Sequence, residues 1–155
     1  MKKYALLIVY VLLTLLIVGY IFSNSFQTVA ASSERSGRVM KIVEPIINPK
    51  GTLSTEEVHK IVRKLAHGTE FAVLGIFLSL TAYEIFKLRK RILISFPLLM
   101  ALCTAVTDEF LQSFNDRSPQ ISDVLIDFGG AVLGMVFVTL VLFLYCAKVK
   151  NFYAS

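Results

Sequence analysis

Cysteine, histidine and charge are all scarce in this sequence of 155 residues. Cys103 and Cys146 stand singly inside apolar stretches, where a thiol behaves as a small hydrophobe, so neither a disulfide framework nor a Cys-based metal spacing is available. The two histidines form no His-x-x-x-His pair, which removes the usual helical zinc motif. There is no internal repeat and no low-complexity tract. Charged residues make up 17% of the chain, and not one lies between Tyr4 and Phe22.

What fills the chain instead is apolar: 55% of residues are hydrophobic and the mean hydropathy is +0.69, too high for an ordinary soluble composition. That excess requires a solvent other than water. The uncharged run from Tyr4 to Phe22, at about 1.5 Å rise per residue, matches a hydrocarbon core of about 30 Å. Lys2 and Lys3 ahead of it, and the small residues Ala30 and Ala31 behind, also resemble a secretory signal. The run exceeds the usual signal core of about 7 to 15 residues and has no cleavage motif directly behind it, so a retained first transmembrane helix is expected. Net charge is +5 and the pI about 9.3, but Lys and Arg cluster at the edges of apolar segments. Such placement encodes topology rather than nucleic acid binding.

The order of signals along the chain predicts an all-α, integral membrane four-helix bundle with a short amphipathic extracytoplasmic segment. Residues 1–22 form the N-terminal transmembrane helix, and 23–59 the amphipathic segment, in which Val39, Ile42, Val43 and Ile46 have helical spacing before an Asn48-Pro49-Lys50-Gly51 turn. Ser54 with Glu57 three residues later is a capping box, so a helix starts near Thr55 and leads through Val58, Ile61, Val62 and Leu65 into the apolar stretch Phe71 to Phe86. Residues 60–147 thus hold three further spans. The basic run 87–91 is a tight turn; the third span covers about Ile92 to Leu111, with a bend expected at Pro97. Ser118-Pro119 reads as a helix start, and the fourth span, from about Asp123 to Ala147, carries Gly130 and Gly134 at the small-xxx-small spacing that lets helices approach closely. Residues 148–155 form a cytoplasmic tail.

Orientation follows from the basic residues. Eight of the sixteen, Lys2, Lys3, Lys87, Arg89, Lys90, Arg91, Lys148 and Lys150, lie on the side of the N-terminus, so the raw count is a tie. These eight flank the spans directly, whereas five on the other side lie far along the 23–64 loop or beside acids. Both termini are therefore expected in the cytoplasm of a multi-pass protein of the cell membrane.

Alternate helix ends face the same side, so the start of the second span, the end of the third and the start of the fourth converge. His67 and Glu70 stand one turn apart on the second, Asp108, Glu109 and Gln112 close the third, Asp123 and Asp127 open the fourth, and Arg117 lies in the loop between the last two. An Asp at the centre of a membrane helix costs about 2.5 to 3.5 kcal/mol to insert. Several carboxylates gathered at one end point to a functional site. Taken singly, each is equally readable as a headgroup-level acid paired with Arg63, Lys64 or Arg117.

Three segments carry a family likeness: Arg63-Lys64-Leu65-Ala66-His67-Gly68-Thr69-Glu70-Phe71, then Thr107-Asp108-Glu109-Phe110-Leu111-Gln112-Ser113-Phe114 with Arg117 close behind, then Asp123 to Gly134. In this order they resemble the VanZ-like family of bacterial integral membrane proteins, over roughly Lys60 to Leu144. Asn115-Asp116 stands where members often carry a Pro-Gly turn. The resemblance implies a cell-envelope protein, linked through the family's namesake to resistance against the glycopeptide antibiotic teicoplanin; it supplies no reaction.

The function expected is therefore binding or modification of an amphiphilic envelope ligand, a lipid-linked wall precursor or lipoglycopeptide, with membrane lipid as surroundings and no nucleic acid partner. Were it an enzyme, His67 would be general acid or base, with Glu70, Asp108 and Glu109 as the other catalytic groups; Lys64, Gln112, Arg117, Asp123 and Asp127 would bind the ligand. No cofactor or metal is expected: a cation held by His67, Glu70, Asp108, Glu109 and Asp127 is the weaker form, because the acids are explained as salt bridges. Two other classes remain. A small proton-coupled transporter would need midplane charge, and the only acid near the other end, Glu84, stands beside Lys87 at helical spacing. A non-catalytic scaffold would use Gly130 and Gly134 against a partner helix.

Overall fold

A computed structural model describes residues 2–26, 43–49, 51–91, 94–115 and 120–154. They form four long helices, α1 (Ala5–Ser25), α2 (Thr55–Arg89), α3 (Ser95–Gln112) and α4 (Ile121–Ala154), with a helical turn over 43–47, 3-10 turns at Lys2–Tyr4 and Ser113–Asn115, and no strand among the described residues. The all-α expectation holds. Three helical stretches are long and apolar enough to cross a membrane: Ala5–Ser25, Thr55–Arg89 and Ile121–Lys148. α3, expected to be a further span, is not one of them, because Asp108, Glu109 and Gln112 occupy its last turns and lower its hydropathy.

Around α1, Leu6, Ile8, Leu12, Leu15, Leu16 and Tyr20 are all exposed. A helix apolar on every side, with most of its length uncovered by protein, is one that lipid must cover. It continues past the expected end at Phe22 to Ser25, and only Ile21 and Ser25 are buried along it.

The capping box forms as expected, with the Glu57 amide donating to Ser54 Oγ over 3.3 Å and the Ser54 amide to Glu57 Oε2 over 2.8 Å. Before it, Asn48 closes the turn: its side chain donates to the Leu53 carbonyl and accepts from the Leu53 amide, at 2.9 and 3.1 Å. Gly51 has a φ of +63°, a conformation glycine adopts without Cβ strain. Val43, Ile47 and Leu53 pack on Val58 and Val62 of α2. The expected apolar face is therefore shifted by a residue at its end, for Ile46 is 75% exposed and Ile47 takes the inward place; Val39 and Ile42 lie outside the described residues.

Two further local expectations change. α2 does not stop before the basic run but carries on through Arg89, ending on Lys90 in a left-handed conformation, φ 56°, whose amide donates to the Phe86 carbonyl. Pro97 is the third residue of α3, where an amide has no intrahelical acceptor, so it interrupts no hydrogen bond and the expected bend loses its cause.

Glycines set the spacing of α2 and α4. A Cβ on Gly134 would run into the Ala72 carbonyl, one on Gly130 into that of Gly68, and one on Gly75 into that of Ala131. The small-residue motif thus serves packing within this chain, which leaves it committed rather than offered to a partner. Phe71, Leu74 and Leu78 of α2, Ile21 of α1, Ala101 and Ala105 of α3, and Ala131 and Met135 of α4 complete the core. Toward the ends that carry Tyr83, Pro97 and Phe143, α2, α3 and α4 border an apolar groove of about 740 Å³. There Lys87 Nζ meets Glu84 Oε1 at 2.6 Å, so the acid at that end is paired as its spacing predicted.

Candidate functional site

The polar residues meet at the other end of the bundle, where four helices contribute. His67 lies twelve residues into α2, about 18 Å along the helix from its start, because the first turns of α2 are spent on the Val58–Val62 contact rather than on the bundle. α3 delivers Asp108, Glu109 and Gln112 from its last turns, all buried; α4 delivers Asp123 from its first turn and Asp127 a turn later. The end of α1 supplies Asn24 and Ser25.

Asp108 is the hub. It is fully buried, and both its carboxylate oxygens are engaged: Ser25 Oγ donates to Oδ1, and Gln112 Nε2 donates to Oδ2 over 2.7 Å. His67 Nδ1 stands 3.7 Å from Oδ2, too far for a hydrogen bond but close enough that a protonated imidazole is held by charge. Asn24 Nδ2 donates to Glu70 Oε1 over 2.9 Å, so Glu70 is tied to α1. Asp127 is 2% exposed, and one of its oxygens, one of the Asp108 oxygens and a ring nitrogen of His67 all lie within 4.8 Å of one another.

Nearer the surface, Lys64 Nζ meets Asp123 Oδ1 at 2.7 Å and links α2 to α4. Half-exposed pairs of this kind contribute up to about 1 kcal/mol, so this one orients more than it stabilises. Glu109 accepts the Gln120 amide on Oε1 over 2.7 Å, which places a negative charge at the start of α4, where the helix dipole favours it. Its Oε2 is buried with no hydrogen-bond partner among the described residues. Arg63, Lys64, His67, Gln112, Asp123, Ile126 and Asp127 line a narrow cleft of about 10 Å³, enough for one water-sized body.

Of the residues expected at the site, His67, Asp108, Gln112 and Asp127 are brought into direct proximity, Lys64 and Asp123 form the rim, Glu70 is bonded to Asn24 of α1, and Glu109 to the Gln120 amide. Arg117 lies outside the described residues, as do Asp116, Ser118 and Pro119. Asn24, Ser25 and Arg63 were not anticipated as site residues. The signal for the first two was present: polar side chains directly after the apolar run belong to a helix end on the same side as the others, and α1 delivers them there.

This arrangement can exchange a proton at His67, hold a small cation between imidazole and carboxylates, and present Lys64 and Arg63 to an anion at the cleft mouth. No curated protein and no solved structure matches the chain. The VanZ/LLP1 family model matches it over residues 8–144, a reach that takes in α1 together with the three motif segments. With membrane-spanning helices on one side and this match on the other, the chain belongs to the VanZ-like family of membrane proteins.

Proposed function

We propose that this VanZ-type envelope protein binds an amphiphilic envelope ligand, a lipid-linked wall precursor or a lipoglycopeptide, at the polar end of its bundle, and that this end faces the exterior. The observation that carries the reading is the convergence of His67, Asp108 and Asp127 beneath the Lys64–Asp123 pair at one cleft. Buried carboxylates in a membrane bundle are expensive, and a chain retains them together where they are used.

The cleft is too narrow to enclose an organic group, so the ligand is held at its mouth, with a headgroup phosphate or carboxylate against Lys64 and Arg63 and its tails in lipid. His67, steadied by Asp108, is the group available for proton transfer if a bond is made or broken. In this topology α3 is a fourth crossing: its 18 residues give about 27 Å, close to the hydrocarbon thickness, and its polar end reaches the headgroup level. Both termini are then cytoplasmic, consistent with Lys87, Arg89 and Lys148 beside the inner ends. A transporter reading gains nothing from Glu84, which is paired with Lys87.

The test is teicoplanin susceptibility of bacteria expressing the chain. His67→Ala, Glu109→Gln and Arg117→Ala are each expected to abolish any protection while membrane levels stay at the wild-type value. Unchanged protection in all three would remove the site from the function, and a wild-type chain without effect on susceptibility would remove the glycopeptide from it.

A further inference from the structure

The geometry points to a divalent metal ion of mixed nitrogen and oxygen preference, Mn²⁺ or Zn²⁺, held by His67, Asp108 and Asp127. The sequence makes such a site the weaker reading because its donors come singly from three helices, α2, α3 and α4, with no local spacing to set them apart from salt-bridged acids. Folding places the three donor atoms within 4.8 Å of one another. Around an ion with ligand distances of about 2.0 to 2.2 Å, donors are separated by roughly 3.4 Å, so small side-chain rotations complete the site.

Asp127 supplies the independent reason to expect a ligand. It is 2% exposed and makes no hydrogen bond or ion pair among the described residues, yet it is aimed at His67 and Asp108. Its electrostatic neighbours are the carboxylates of Asp108, Glu109, Asp123 and Glu70. Of the two cations on the cleft, Lys64 is already matched to Asp123 and Arg63 is an electrostatic neighbour of Glu109. Among the described residues no cation is paired with this buried acid, and a divalent ion is a species that supplies positive charge within the size of the cleft.

Asp108 is prepared for the role. Ser25 and Gln112 each donate to one of its oxygens, which is how outer-shell partners fix a ligating carboxylate, while the imidazole excludes the all-oxygen preference of Mg²⁺ or Ca²⁺. Three protein donors leave coordination positions open toward the cleft, where a phosphate or carboxylate oxygen of the headgroup completes the shell. That last step rests on the envelope-ligand reading above; occupancy by the ion does not.

The experiment uses the full chain purified in detergent, stripped with EDTA and titrated with Mn²⁺ under electron paramagnetic resonance, with Zn²⁺ as competitor. One Mn²⁺ per chain, displaced by Zn²⁺, is expected, with binding at least tenfold weaker in Asp127→Asn and in His67→Gln and unaltered in Lys87→Met at the far end. Absence of a saturable site in the wild-type chain overturns the proposal, whatever the variants do. So does an Asp127→Asn chain, helical and monodisperse, that binds as tightly as wild type. Ion binding by a chain that gives no teicoplanin phenotype upholds the metal site and removes only its coupling to that ligand.

Discussion

Gly134→Leu is expected to prevent the bundle from assembling. At this position even a Cβ meets the Ala72 carbonyl, and the neighbouring positions repeat the pattern, Gly130 on Gly68 and Gly75 on Ala131. Lipid tails are as apolar as leucine, so no hydrophobic gain compensates when α2 and α4 are pushed apart; their association depends on close backbone approach. Overpacking a protein core costs typically 1 to 3 kcal/mol when side chains can shift, and the obstacle here is backbone. A loss of at least about 3 kcal/mol is expected, seen as failure to recover monodisperse protein from detergent or as a large fall in unfolding temperature. By contrast, Gly129→Ala should leave stability nearly unchanged, since nothing lies within 4 Å of a Cβ there. A normal Gly134→Leu protein would mean that α2 and α4 do not meet along this face.

The second large effect is at Asp108. Asp108→Leu removes the acceptor for Ser25 and Gln112 and the carboxylate beside His67, at a position that is itself fully buried. Ser25 keeps the Ile21 carbonyl as a second acceptor, whereas Gln112 loses the charged acceptor that Asp108 offers it. Interhelical hydrogen bonds in membranes average only about 0.6 kcal/mol, but hydrogen bonds to a charged group contribute about 1.5 to 3 kcal/mol. A destabilisation of roughly 2 to 3 kcal/mol is expected, together with complete loss of function. Asp108→Asn separates the two, because its amide oxygen still accepts from Ser25 and its amide nitrogen donates to the oxygen of a flipped Gln112 side chain, while the charge is gone. It should cost less than about 1 kcal/mol in thermal unfolding and still lose both teicoplanin protection and Mn²⁺ binding. Retained function in Asp108→Asn would show that the negative charge is not what the site needs.

The parts of the fold that were legible in the sequence are those governed by local chemistry. The uncharged run that became α1, the Ser54–Glu57 cap and the Glu84–Lys87 pair each depend on residues a few positions apart. Helix ends were misplaced where the deciding partner is distant: α1 runs on to Ser25 because Asp108 and Glu70 receive its polar side chains, and α2 runs through Arg89 to a left-handed Lys90. The convergence of His67, Asp108 and Asp127 followed from alternation of helix ends, whereas their closeness, and the separate positions of Glu70 and Glu109, depend on rotation about the helix axes. Rotation here is set by where glycines allow backbones to touch, and Gly68 and Gly75 acquire that meaning only beside Gly130 and Ala131.

Membrane orientation is read most directly by single cysteines at Thr52, Arg89 and Gln120, placed in a chain whose Cys103 and Cys146 are replaced by serine. An impermeant maleimide applied to intact cells is predicted to label Thr52→Cys and Gln120→Cys, with Arg89→Cys reacting only after permeabilisation. That pattern puts the His67 cleft on the outer face and makes α3 a crossing. Labelling of Arg89→Cys alone in intact cells, or of Gln120→Cys only together with Arg89→Cys, would contradict it.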